Sequence, residues 1–147
     1  MAGLFGSAVF EDQVLGPLKR SGGVWRGKVE LGGRPDVPLL VFGSLREPGT
    51  AALDAAREIA RSFEDWQPAI EAALFDHYSP YAEAGTDVPV IATPGEVWGH
   101  VSLESAAIVK MGGQVTTELV YAAAWDEEHR LGARFQAGQL VELCGSV

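Results

Sequence analysis

The sequence predicts an α+β domain: a mainly antiparallel β-sheet with two central helices packed on one face. Three observations carry that prediction. Short apolar runs separated by turn residues fill the N-terminal third. Apolar residues at helical spacing fill the middle, and period-two alternation returns in the C-terminal third. Elements segregated in this way favour an antiparallel sheet over alternating strand–helix units. At 147 residues, without a long linker or internal repeat, the chain is expected to form a single domain over residues 1–147.

In the N-terminal third, Gly22-Gly23, Gly32-Gly33 and Pro35 to Pro38 bound two expected strands, Val24–Leu31 and Val37–Phe42. Trp25, Val29 and Leu31 share parity in the first, and Gly27 interrupts that face, as a bulge would. Gly32-Gly33-Arg34-Pro35-Asp36 suits a hairpin connection.

Pro48-Gly49-Thr50 is a helix entry signal with Thr50 as the expected N-cap. Leu53, Ala56, Ile59, Ala60 and Phe63 then form an apolar stripe. On the other face, the spacing pairs Asp54 with Arg57 and Glu58 with Arg61. A second helix is expected near Asp65, with Pro68 in its first turn and Trp66, Ile70, Ala73, Leu74, His77 and Tyr81 on one face. Pro80 is expected to end or kink it, and Ala84 to Pro94 to form a loop.

In the last third, Val97–Leu103 and Ala106–Lys110 read as two strands or one bent strand, followed by a turn at Met111 to Gln114. Alternation from Val115 to Trp125 is the clearest strand signal in the chain. Asp126 to Arg130 and Gln136 to Gln139 read as hairpin connections leading into Leu131–Phe135 and Leu140–Leu143.

Composition excludes several classes. Apolar residues make up 47% and charged residues 21%, which is globular and not disordered. The formal charge of −9 disfavours nucleic acid as a partner. Apolar runs are far shorter than a membrane span needs, and Met1 to Phe5 lacks the basic and apolar regions of a leader. A single cysteine, Cys144, rules out an internal disulfide and fits a reducing, cytoplasmic setting; it is expected as a buried, inert thiol. The four tryptophans are expected in the core.

No motif in the sequence specifies catalysis, and neither a cofactor nor a metal is expected. Both glycine-rich phosphate loops and the serine nucleophile elbow are absent. Trp125-Asp126-Glu127-Glu128-His129-Arg130-Leu131-Gly132 sets three carboxylates beside an imidazole. Adjacent residues point in different directions, so the segment fits a solvated turn in which Asp126 caps backbone amides. His77, on the apolar helix face, fits a hydrogen-bonded core histidine, and a three-histidine site with His100 and His129 has no spacing to support it.

The Trp125 to Gly132 segment, followed by Ala133-Arg134-Phe135 and the Gly138 turn, resembles the C-terminal signature of a family of small bacterial domains of unknown function. In those, a Trp-Asp-Glu-Glu-His-Gly-like stretch joins two terminal strands. Trp25-x-Gly27 and Ala55-x-x-x-Ile59 also look similar, and Arg130 stands where the signature has glycine. Members of this group often look like immunity proteins of polymorphic toxin systems. The resemblance therefore implies a non-enzymatic cytoplasmic protein that binds a cognate toxin, with no catalytic residues to carry over. For a basic toxin domain as partner, the candidate contacts are Asp126, Glu127, Glu128, His129, Glu64, Asp65 and Glu71. The alternative expectation is a metal-dependent or acid/base enzyme using His129 and the neighbouring carboxylates.

Overall fold

The computed structural model describes residues 8–85 and 87–147; the Met1 to Phe5 start and Thr86 of the Ala84–Pro94 loop lie outside the described residues. Eight strands form one sheet in chain order: β1 (Val9–Asp12), β2 (Gly16–Ser21), β3 (Val24–Leu31), β4 (Arg34–Phe42), β5 (Val101–Met111), β6 (Gln114–Ala123), β7 (Asp126–Gln136) and β8 (Gln139–Cys144). All neighbours pair antiparallel except β4 and β5, which are parallel. A parallel pair needs a long crossover. Helix α1 (Thr50–Glu83) and a short 3-10 helix (Pro94–Gly99) supply it. The α+β, mainly antiparallel prediction therefore holds.

One helix stands where two were expected. Pro68 and Pro80 both lie inside α1, on its exposed side. Each removes an amide donor, leaving the carbonyls of Glu64 and Asp76 without a helical partner, and on that side water can take its place. The buried stripe runs unbroken through Leu53, Ala56, Ile59, Phe63, Trp66, Ile70, Leu74 and Tyr78, so core packing holds the two halves in line. Gly49, not Thr50, is the N-cap, and no side chain caps the helix. The two expected ion pairs form, Asp54–Arg57 at 3.0 Å and Glu58–Arg61 at 2.8 Å.

Helix α1 covers one sheet face. Trp66 stacks on Phe135 of β7 with ring centroids 4.1 Å apart. Leu18, Trp25, Leu39, Ile108, Leu119 and Leu131 fill the layer beneath the helix. Gly27 marks no bulge: it pairs in register with Leu39, and the irregularity falls between Val29 and Leu31. Its missing side chain instead makes room for Leu18, whose Cδ2 would lie 2.5 Å from an added Cβ. At the N-terminal edge, buried Asp12 accepts from the amides of Val14 and Leu15 at 3.0 and 2.9 Å and pairs with Arg57 of α1.

Val97 begins no strand. Thr93-Pro94-Gly95-Glu96 forms a capping box with proline in the first turn, so Val97 ends up buried in the 3-10 helix and β5 starts at Val101. β5 is one strand bent at an irregularity between Leu103 and Ser105. Trp25, Trp66 and Trp125 are buried as expected, whereas Trp98 is half-buried. Cys144 is only partly buried, because it ends β8 at the sheet edge.

Candidate functional site

The Asp126 to Arg130 segment is not a hairpin connection. The chain reverses at Ala124-Trp125, and Asp126 opens β7. On β6 the partners advance from Ala122 to Ala123, while on β7 they step from Arg130 to Asp126. Glu127, Glu128 and His129 are therefore extra residues, a three-residue bulge that bends the strand and re-aims its side chains. Adjacent residues need not diverge in such a bulge. His129 Nδ1 comes within 3.0 Å of Asp126 Oδ1, and the Tyr81 hydroxyl donates to Asp126 Oδ2 at 2.7 Å.

Asp126 is thus buried, and among the described residues its partners are side chains and not the backbone amides expected. Burial works to raise its pKa, but the hydrogen bonds from Tyr81 and His129, together with the charges of His129 and His77, hold it below the ordinary carboxylate value. The Tyr81 hydroxyl is pushed up, chiefly by that same hydrogen bond, with burial and the charges of Asp126 and Glu128 adding. His129 is about half exposed, with Nδ1 turned to Asp126.

Below this pair, His77 is hydrogen-bonded as the sequence implied, but it is half-buried and not part of the core. The Trp125 indole N–H donates to its Nδ1 at 3.0 Å, so in the neutral ring the proton sits on Nε2. Burial lowers its pKa, with the charge of His129 acting the same way and that of Asp126 against it. Tyr78 packs edge-on against Trp125 and bonds Pro89 and Ile91, pinning the following loop to the helix end.

The seven candidate residues divide. Asp126 and His129 meet, and Glu127 and Glu128 are exposed beside them. Glu64 and Asp65 lie elsewhere, next to the Gly32-Gly33 turn. Asp65 is about 24 Å along the helix axis from Tyr81 at 1.5 Å per residue. Glu71 accepts the Trp98 indole N–H at 2.8 Å. His100 borders a depression with Glu127 and Arg130, and no group of three metal-ligating side chains converges among the described residues.

Charge is distributed unevenly along the chain. From Ser62 to Val109 there are eight carboxylates and no lysine or arginine, so this stretch holds nearly all of the net −9. Within it Asp65, Asp76 and Glu83 are exposed and spaced eleven and seven residues apart. Those spacings approach whole turns and set the three along the outer line of α1. Asp76 and Glu83 were missed as candidates, although their spacing from Asp65 was a usable signal. The helix has no basic residue in its last turn, so its negative dipole end adds to the same field beside Glu127 and Glu128.

Fold and site together define an acidic α+β domain with a Tyr–Asp–His cluster at the end of its covering helix. The family model described as a domain of unknown function (DUF6985) matches residues 14–146, and the chain belongs to that family. No curated protein and no solved structure matches the chain.

Proposed function

We propose that the protein is a non-enzymatic protein-binding domain: a cytoplasmic immunity protein that neutralises a cognate bacterial toxin by occluding it. The observation that carries the binding reading is the uncompensated acidic stretch Ser62 to Val109. Its outward line Asp65, Asp76 and Glu83 continues at the helix end towards Glu127 and Glu128. An exposed surface of one sign steers an oppositely charged partner and speeds its association. The partner is therefore basic. The toxin assignment rests on the resemblance of Trp125 to Gly132 to immunity-type domains. A pull-down from extract of its own cells, read by mass spectrometry, tests the reading. One basic protein recovered near stoichiometry with the wild type, and lost with Glu127→Lys/Glu128→Lys, is the expected result. Equal recovery with the variant contradicts the acidic-surface assignment.

A second reading, an acid/base enzyme, draws support from one observation. Buried Asp126 orients half-exposed His129 through Nδ1, which leaves Nε2 as the ring nitrogen for proton transfer. Under that reading His129→Gln abolishes activity without weakening partner capture.

A further inference from the structure

A separate pocket of about 560 Å³ lies on the sheet face away from α1, over strands β1, β2 and β3. Lys19, Arg26 and Lys28 line it together with Val9, Leu15 and Pro17. Val9 pairs with Lys19, and Lys19 with Arg26, so these residues form one row across the strands. Their neighbours Leu18 and Trp25 are buried beneath the helix, which turns the row to the other face. Pro17 and Lys28 stand two residues further along β2 and β3, on the same face as the row. A volume of about 300–1,000 Å³ is usual for a small-molecule site.

The fold gives no reason for cations to gather here. Between Asp12 and Glu30 the chain carries four basic residues and no carboxylate. One of them, Arg20, turns to the Leu45 carbonyl. Lys19, Arg26 and Lys28 make no ion pair or side-chain hydrogen bond among the described residues, whereas Arg57, Arg61, Arg130 and Arg134 each meet a carboxylate. Like charges directly opposite across two strands destabilise a sheet, and Lys19 and Arg26 are opposed in that way. Cross-strand, diagonal and i, i+2 spacings set the three Cβ atoms in a triangle about 5–8 Å on a side. Long side chains rising from such a base can converge on one small group.

A phosphoryl group is the anion that fits. Its double charge and terminal oxygens match three cations, and both lysine and arginine bind phosphate. Glu11 and Glu30, two residues beyond Val9 and Lys28 on β1 and β3, disfavour a second anionic group and with it a nucleic-acid strand. Val9 is 50% exposed, and with Leu15 and Pro17 it gives the β1–β2 side of the pocket an apolar wall. We propose that this pocket binds a phosphomonoester with a small apolar body, its phosphoryl oxygens on Lys19, Arg26 and Lys28 and its body against Val9, Leu15 and Pro17. A soluble organic phosphate and the headgroup of phosphatidate in a membrane share that chemistry. The site is independent of partner capture by the acidic helix line.

The test is a titration of the ¹⁵N-labelled full chain with phenyl phosphate, with inorganic phosphate and phenol as comparisons. Saturable shifts of the Lys19, Gly27 and Lys28 amides are expected with phenyl phosphate, with several-fold weaker binding of inorganic phosphate and no response to phenol. Lys19→Gln and Arg26→Gln are each expected to weaken phenyl phosphate about tenfold, the scale of one charge-assisted contact. Both side chains are exposed, and removing one of two opposed cations leaves the fold intact. Val9→Ser is expected to weaken phenyl phosphate and to leave inorganic phosphate unchanged. Flotation with phosphatidate vesicles, against phosphatidylcholine vesicles, separates the two sources. Flotation that is lost in Arg26→Gln assigns the lipid headgroup, and phenyl phosphate binding without flotation assigns a soluble phosphate. Absence of saturable shifts, unchanged affinity in both cation variants, or equal affinity for phenyl phosphate and inorganic phosphate overturns the proposal.

Discussion

Replacing Asp12 with asparagine removes the charge that ties the edge hairpin β1–β2 to helix α1 while keeping its size and an oxygen for the Val14 and Leu15 amides. Asp12 is buried, and its hydrogen bond with Arg57 is the largest cause of a pKa lowered from 3.8 to about 2, against the opposing effect of burial. A shift of that size corresponds to about 2 kcal/mol of stability at neutral pH. Arg57 is 32% exposed, so solvent screening makes this an upper figure. The folded pKa lies below the unfolded one. The contribution is therefore complete well above 3.8 and is lost as pH falls through 3.8 towards 2. Urea unfolding followed by tryptophan fluorescence, at pH 7, 4 and 2, measures it. Asp12→Asn is expected to cost at most about 2 kcal/mol at pH 7, no more than ~4–8 °C in Tm, and close to nothing at pH 2. Asp12→Ala adds about 1 kcal/mol at every pH through the two lost amide contacts. A difference between wild type and Asp12→Asn that stays constant from pH 7 to pH 2 would refute the assigned pairing.

Two further substitutions test the packing and the bulge. Gly27→Val sets a side chain against Leu18 and is expected to cost about 1–3 kcal/mol by overpacking, measured by thermal unfolding; a neutral result contradicts the close approach in the structure. Asp126→Ala removes the acceptor for both Tyr81 and His129 and is expected to cost about 1–3 kcal/mol. It should also raise amide exchange at Glu127 to His129 above that of the rest of β7, and protection equal to wild type there refutes the role given to Asp126.

Much of the fold was legible because one sheet face is buried. Residues alternating from Val115 to Ala123 leave no choice of register, and Gly112-Gly113, with φ of 60° and 79°, makes the tight reversal before them. β1 and β2 escaped notice. Four residues, and a strand opening Gly16-Pro17, are too few and too turn-like for a periodic signal. Pro68 divided the helix on paper because proline interrupts the local hydrogen bonding; the continuous buried stripe that overrides it becomes decisive only against the sheet.

The candidate site was half legible. The Asp126 to His129 cluster stood out by composition, and the bulge that joins Asp126 to His129 depends on where β6 pairs. Tyr81, 45 residues earlier, is brought to Asp126 by the helix and not by any local pattern.

The measurement that tests the central claim most directly is the association rate of the captured partner, by stopped flow, over a range of ionic strength. Wild type and an Asp65→Lys/Asp76→Lys/Glu83→Lys variant are compared. Steering by the acidic helix line predicts a rate that falls steeply with salt for the wild type and is slow and nearly salt-independent, or rises with salt, for the variant. A wild-type rate indifferent to salt, or one unchanged by the triple reversal, would contradict the account.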